Sequence, residues 1–173
     1  WEASLKEQGL VGEETKSRAR DVGREGTEAP PSVQNVAPPE DDVVEFHTDG
    51  ACSGNPGPAG FGVVYRRGDT YDEWSEYIGE GTNNIAELAA IQSALEAVDD
   101  RDQHVVIYTD SRYAIGVLTK GWNAKANTEL IEEIRDLLDE FDNVEIKKVA
   151  GHAGHPLNER ADDLATGSID NAR

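Results

Sequence analysis

Four acidic residues stand where a carboxylate does more than solubilise: Asp49, Glu87, Asp110 and Asp162. Asp49 and Asp110 directly follow the apolar-rich runs VVEFHT and HVVIYT. A carboxylate at the tip of a buried strand is costly unless something offsets its charge. Glu87 falls in the first turn or so of a helix-periodic stretch, and Asp162 one to two turns into the last one. Four oxygen ligands of this kind suit a hard divalent cation such as Mg²⁺ or Mn²⁺. Mg²⁺ usually takes one or two carboxylates plus substrate phosphate, so four acids are more naturally shared by two ions. Two such ions can stabilise the attacking and leaving oxygens of an in-line phosphodiester cleavage. The competing reading is a solvated acidic surface. The chain has 35 Asp and Glu, and Asp163, Glu159, Asp99 and Asp100 are not distinguished from the four by spacing alone.

The loop GHAGHP, residues 151–156, is the second chemical stretch. A histidine flanked by glycine beside an acid-bearing helix titrates near neutrality and could carry a proton to or from a reacting oxygen. An ordinary surface loop with two histidines is the alternative. No Cys/His spacing suggests zinc, and no Ser-His-Asp or Cys-His set is apparent; Cys52 reads as a small turn residue. GACSGNPGPAG, residues 50–60, invites a phosphate-loop reading. It lacks the Lys-Ser/Thr ending and joins strand to strand, which excludes an ATPase loop. Gly54 and Gly57 still allow backbone amides to approach a nucleic-acid strand. Asn55, Asn83 and Asn84 are neutral hydrogen-bonding groups suited to base edges and 2′-hydroxyls.

The elements that must position these residues are legible in the periodicity. Alternation from residue 43 to Asp49 predicts a first strand, and 61–66 a second. The turn Arg67-Gly68-Asp69 leads to a third at 71–78, with a break at 79–82. A helix capped by Asn83 or Asn84 runs to about residue 98. The nearly continuous apolar run 104–109 predicts a parallel strand buried on both faces. Helices follow at 112–118 and 128–140, then a strand at 144–149 and a terminal helix at about 157–169. The order β-β-β-α-β-α-α-β-α makes a mixed sheet with helices on its faces. If the strands ending in Asp49 and Asp110 are neighbours, their tips meet at the switch point where ligands bind in open α/β sheets.

Residues 1–40 are charged, contain Gly and Pro, and hold few large side chains, so they read as a disordered tail or linker ahead of a domain at 41–173. That tail could tether an unidentified partner or domain. The chain opens on Trp1 rather than Met, consistent with a natural start further upstream. Its 173 residues, 37% hydrophobic content and mean hydropathy of -0.62 describe a polar-surfaced chain with enough length for one sizeable core. No apolar run reaches membrane-span length and nothing resembles a secretory leader. The single cysteine fits a reducing cytoplasm. The formal net charge of -19 argues by itself against a nucleic-acid partner and fits a surface adapted to high salt.

Taken in order, TDGACSGNPGPAGFG (48–62), TNNIAELAAI (82–91), YTDSRYAI (108–115) and GHAGHPLNERADDLA (151–165) resemble the motifs of type 1 ribonuclease H over about residues 43–170. The resemblance implies a mixed five-stranded sheet in the order 3-2-1-4-5 with the second strand antiparallel. It implies a monomeric endonuclease that cuts the RNA strand of RNA/DNA hybrids with Mg²⁺, leaving 5′-phosphate and 3′-hydroxyl ends. By motif position Asp49, Glu87, Asp110 and Asp162 match the family's metal-binding acids, Asp162 rather than Asp163 being the aspartate of the NERADxLA pattern. His152 matches the flexible-loop histidine that helps protons or product leave. Cys52, Asn55, Asn83 and Asn84 match minor-groove contacts, and Thr82 and Asn127 match positions near the DNA phosphate. Two departures stand out. The stretch 119–127 carries only Lys120 and Lys125 where some relatives have a long basic protrusion, with Trp122 there to stack or pack. Residue 112 is Arg where Gln is familiar, and an arginine there can meet phosphate. Weaker or more salt-sensitive hybrid binding than in a basic relative is expected. The rivals are another nuclease of the same fold, integrase-like or junction-cleaving, and an inactive hybrid-binding or tethering module.

Overall fold

The computed structural model describes residues 28–37, 39, 42–149 and 155–172. Its strands are β1 Val43–Cys52, β2 Gly57–Arg67, β3 Thr70–Gly81, β4 His104–Thr109 and β5 Asn143–Lys148. Its helices are α1 Asn83–Glu96, α2 Arg112–Thr119, α3 Thr128–Asp139 and α4 Pro156–Ala172. The sheet order is β3-β2-β1-β4-β5, with β1 and β2 antiparallel, β2 and β3 antiparallel, and β4 parallel to both β1 and β5. This is the mixed sheet that the element order and the resemblance both imply.

Strict alternation along β2 separates two layers. Phe61, Val63 and Tyr65 join the main core with Val44 and Phe46 of β1, Leu88, Ile91 and Leu95 of α1, and Leu130, Ile131 and Ile134 of α3. Val64 faces the other way and packs with Tyr71, Leu157 and Ala161 under α4. The same face carries Gly60 and Gly62, where α4 comes so close that a methyl group on Gly62 would lie 2.4 Å from the Ala161 carbonyl oxygen. Two glycines thus let the last helix lie directly on the sheet.

Several boundaries differ from the sequence reading, each for a local reason. β1 does not stop at Asp49 but continues to Cys52, because antiparallel pairing with β2 extends to Cys52↔Ala59. β3 does not break at Gly79. It runs to Gly81 through a bulge, with Gly79 at φ 81° supplying the left-handed backbone. Thr82, not Asn83 or Asn84, caps α1: its hydroxyl oxygen accepts from the Ile85 amide at 3.2 Å. Part of the segment expected as a linker over 1–40 is described. Pro30 to Val36 forms hydrogen-bonded turns, Val33 is 3% exposed in the cluster under α4, and Ala29 and Val36 pack beside it. The Arg66 guanidinium donates to the Ala37 carbonyl. Two valines and one alanine suffice here because an existing groove receives them. Residues 1–27 of the expected tail lie outside the described residues.

Candidate active site

Strand register builds the site. Parallel pairing of β1 with β4 ends at His47↔Tyr108. Asp49 and Asp110 each lie two residues beyond that pair, so they emerge side by side where β4 stops. Asp49 remains held in the ladder opposite Gly62 of β2, while Ser111 turns the chain into α2, its hydroxyl oxygen accepting from the Ala114 amide at 3.0 Å. A rigid strand thus presents one acid and a strand-to-helix turn the other.

Glu87 arrives from the opposite layer. α1 crosses β1 at Gly50, where an added Cβ would lie 2.5 Å from the Glu87 backbone nitrogen. The absence of that carbon lets the Gly50 amide donate to Glu87 Oε1 at 2.6 Å and to Asp49 Oδ1 at 3.0 Å. One ligand oxygen from each of Asp49, Glu87 and Asp110 then lies within 4.8 Å of the others. Asp162, exposed on α4, stands outside this tight trio but close enough to Asp49 to hydrogen-bond with its carboxyl.

The electrostatics follow from crowding acids with one amide donor between them. Burial, then the Asp110 charge, then contact with Asp162 push the Asp49 carboxyl up to about 8. Burial and the charges of Asp49 and Asp110 likewise hold Glu87 well above the usual carboxylate range, against the pull of the Gly50 amide. Such a set binds protons or a cation. The donors are all carboxylate oxygens, the group lies at a sheet edge open to solvent through Asp110, and the positive charge it lacks is what a divalent ion provides. The residues therefore fit a hard divalent metal.

The sequence-derived substrate positions fall along the rim. Cys52 Sγ sits 3.4 Å from the Gly81 carbonyl oxygen, packed against the core edge. Asn55 Oδ1 accepts from the Asn83 amide at 2.9 Å, tying the β1–β2 turn to the start of α1. The Thr82 hydroxyl oxygen accepts in the α1 cap, and the Asn83 and Asn84 side chains are exposed. Arg112 is exposed two residues past Asp110, and Asn127, at φ 62°, donates from Nδ2 to the Tyr113 hydroxyl at 3.3 Å. Trp122 packs its ring on Gly116 of α2 while remaining 44% exposed. His152 lies outside the described residues. The reading of the sequence missed Gly50, whose position directly after Asp49 was the available signal.

A 3-2-1-4-5 mixed sheet with carboxylates crowded where its parallel central strands end defines a class, the metal-assisted nucleases of the ribonuclease H-like fold. The RNase H family model matches residues 41–170, and the chain belongs to the ribonuclease H family, as a type 1 member and an endoribonuclease. It is 41% identical over 136 residues to the ribonuclease H of Desulforamulus reducens, covering 70% of this chain and 84% of that one. It is 43% identical over 140 residues to that of Halorhodospira halophila, covering 74% and 93%. Among solved structures it is similar to RNase H1 of the halophilic archaeon Halobacterium salinarum, with 35% identity, a TM-score of 0.65, and coverage of 75% of this chain and 98% of that one. It is also similar to LC11-RNase H1 in complex with an RNA/DNA hybrid, with 34% identity, a TM-score of 0.64, and the same coverage. The family is divalent-metal dependent. Among the described residues no helix is long and apolar enough to cross a membrane.

Proposed function

We propose that this ribonuclease H hydrolyses the RNA strand of RNA/DNA hybrids, leaving 5′-phosphate and 3′-hydroxyl ends, with Asp49, Glu87, Asp110 and Asp162 holding two Mg²⁺ or Mn²⁺ ions. The observation that carries the reading is the trio of oxygens from Asp49, Glu87 and Asp110 within 4.8 Å, with Asp162 against Asp49. A structural relative solved with an RNA/DNA hybrid supports the substrate class. When bound, the ions would supply an activated water and charge stabilisation for an in-line displacement.

The chain's own groups do the rest. Asp49, fixed in the ladder, sets the centre of the site. Glu87 is locked by the Gly50 amide and is the acid closest to the α1 start, where it accepts from a 2′-hydroxyl of the RNA strand. That hydroxyl is the atom that distinguishes RNA from DNA. Exposed Asn83 and Asn84 meet the minor groove beside Asn55 and Cys52, and Thr82, Asn127 and Arg112 flank the DNA phosphates. His152 moves a proton at the leaving oxygen. Residues 42–172 form the catalytic unit, with the segment from residue 28 docked on it.

The test is cleavage of a labelled hybrid beside matched double-stranded RNA and DNA. Hybrid is expected to be cut in Mg²⁺ or Mn²⁺ and neither duplex to match it. Asp110→Asn is expected to lower the rate at least about 100-fold, the upper range for loss of even an indirect metal support, while leaving the melting temperature near the parent's. Full activity of that variant would overturn the site.

A further inference from the structure

We infer that the segment before β1 is a working part of the active site at one remove: Val33, through Leu157 and Ala161, is a positioning residue for Asp162. The inference rests on the proposed role of Asp162 as a metal ligand. The family match begins at residue 41, so Val33 lies in an addition to the matched domain.

The argument starts from how unevenly α4 is held. From Ala161 onward it is seated on the sheet by close approach: a methyl at Gly60 would strike Ser168, and one at Gly62 would strike the Ala161 oxygen, Leu164 and the Ala165 nitrogen. Its first turn, from Pro156 to Arg160, is held by side chains. Arg160 donates from Nε and Nη2 to Glu73 of β3 at 3.0 and 2.5 Å. Leu157 and Ala161 are fully covered, and what they share is the small cluster of Val33, Val64 and Tyr71. Among the described residues, Val33 is the fully buried contribution to that cluster from outside the domain's sheet and helices, with Ala29 and Val36 packed beside it. It is 3% exposed and held in place by turns from Pro30 to Val36 and by the Gln34 side-chain amide on the Ala29 carbonyl at 2.8 Å.

Ala161 directly precedes Asp162. A strap that presses on Leu157 and Ala161 therefore bears on the two turns carrying the fourth acid and sets how closely it approaches Asp49. Misplacement of a reacting group by about 1 Å can cost about 100-fold, so a brace with modest effect on folding has leverage on metal binding. A cavity of about 190 Å³ adjoins Val33, lined also by Val36, Arg66 and Tyr71. It leaves room for a larger aliphatic side chain, so the site tolerates Val33→Ile.

The experiment uses the full chain and measures Mn²⁺ binding by calorimetry, alongside the metal dependence of hybrid cleavage. Val33→Asp, and to a smaller extent Val33→Ala, is expected to weaken Mn²⁺ binding about tenfold, within the range for supports of metal ligands, and Val33→Ile to keep the parent's affinity. In an Asp162→Asn background the same changes at Val33 are expected to have no further effect on Mn²⁺ affinity, because the strap acts through that carboxyl. A purely structural strap would lower the melting temperature in both backgrounds and leave Mn²⁺ affinity unchanged; that result, or additive losses in the double variant, overturns the inference. If the parent chain binds Mn²⁺ but does not cut hybrid, the proposed activity fails while the calorimetric test of the strap still stands. Should Val33→Asp not fold, Val33→Ala decides by the same comparison.

Discussion

At the scale of single residues, the site is a set of acids whose charges are opposed by their neighbours. Asp49 is raised from an ordinary 3.8 to about 8, and Glu87 is raised in the same direction. A carboxyl that holds its proton more tightly when folded than when unfolded makes the folded state bind more protons. Stability is then highest at low pH for these groups and falls as pH rises from near 4 to about 8. In metal-free protein, denaturant melts at about pH 5 and about pH 8 are expected to show this loss, and Asp49→Asn to flatten it and stabilise the protein at the higher pH. Divalent metal reverses the picture, since it replaces the protons; Mg²⁺ is expected to raise the melting temperature more at the higher pH. A metal-induced shift that is equal at both pH values would count against the acids as the binding groups.

At the scale of elements, the site depends on where two helices touch two strands. Gly50 lets α1 bring Glu87 over β1, and Gly62 lets α4 bring Asp162 over β2 opposite Asp49. Gly62→Ala would place a methyl 2.4 Å from the Ala161 oxygen and 2.8 Å from the Ala165 nitrogen, both backbone atoms that cannot swing aside. It is expected to cost about 1–3 kcal/mol, as overpacking does, read by chemical denaturation. It is also expected to reduce cleavage beyond what the unfolded fraction explains, because α4 lifts with its acid. Activity falling only in step with the folded fraction would show that α4 has slack. The sequence reading took the turn glycines Gly54 and Gly57 as backbone access to a nucleic acid and gave no role to Gly50 and Gly62. Only the packing revealed them as contact points between layers.

At the scale of the whole molecule, a formal charge of -19 must meet a polyanion. Self-repulsion of this size weakens the compact state and repels a hybrid until counterions screen it. Raising KCl from about 0.1 M to about 1 M shortens the screening length from about 10 Å to about 3 Å. The melting temperature is expected to rise over that range, and hybrid affinity to fall less steeply with salt than for a basic relative measured alongside, or to rise. This replaces the greater salt sensitivity expected from the sequence, because fewer phosphate contacts release fewer counterions. Calorimetric melts and a filter-binding series with the Asp110→Asn variant test both. A steep loss of affinity with salt would mean that Arg112, Lys120 and Lys125 dominate the encounter.

What the sequence determined by itself was the sheet and its acids. Alternation and apolar runs are local properties, so the strands, the mixed character of the sheet and the ends carrying Asp49 and Asp110 were readable from spacing, while the 3-2-1-4-5 order came with the resemblance that the four motifs carry. What it did not determine were relations between segments far apart in the chain. That β1 outruns β4 to Cys52, that one amide of Gly50 is shared by Asp49 and Glu87, and that Asp162 faces Asp49 rather than completing the tight trio all follow from strand register and helix height. The segment around Val33 is the sharpest case. Its composition lacks the apolar content to order itself, and it is ordered because Tyr71, Val64, Leu157 and Ala161 form a groove that exists only after the domain has folded.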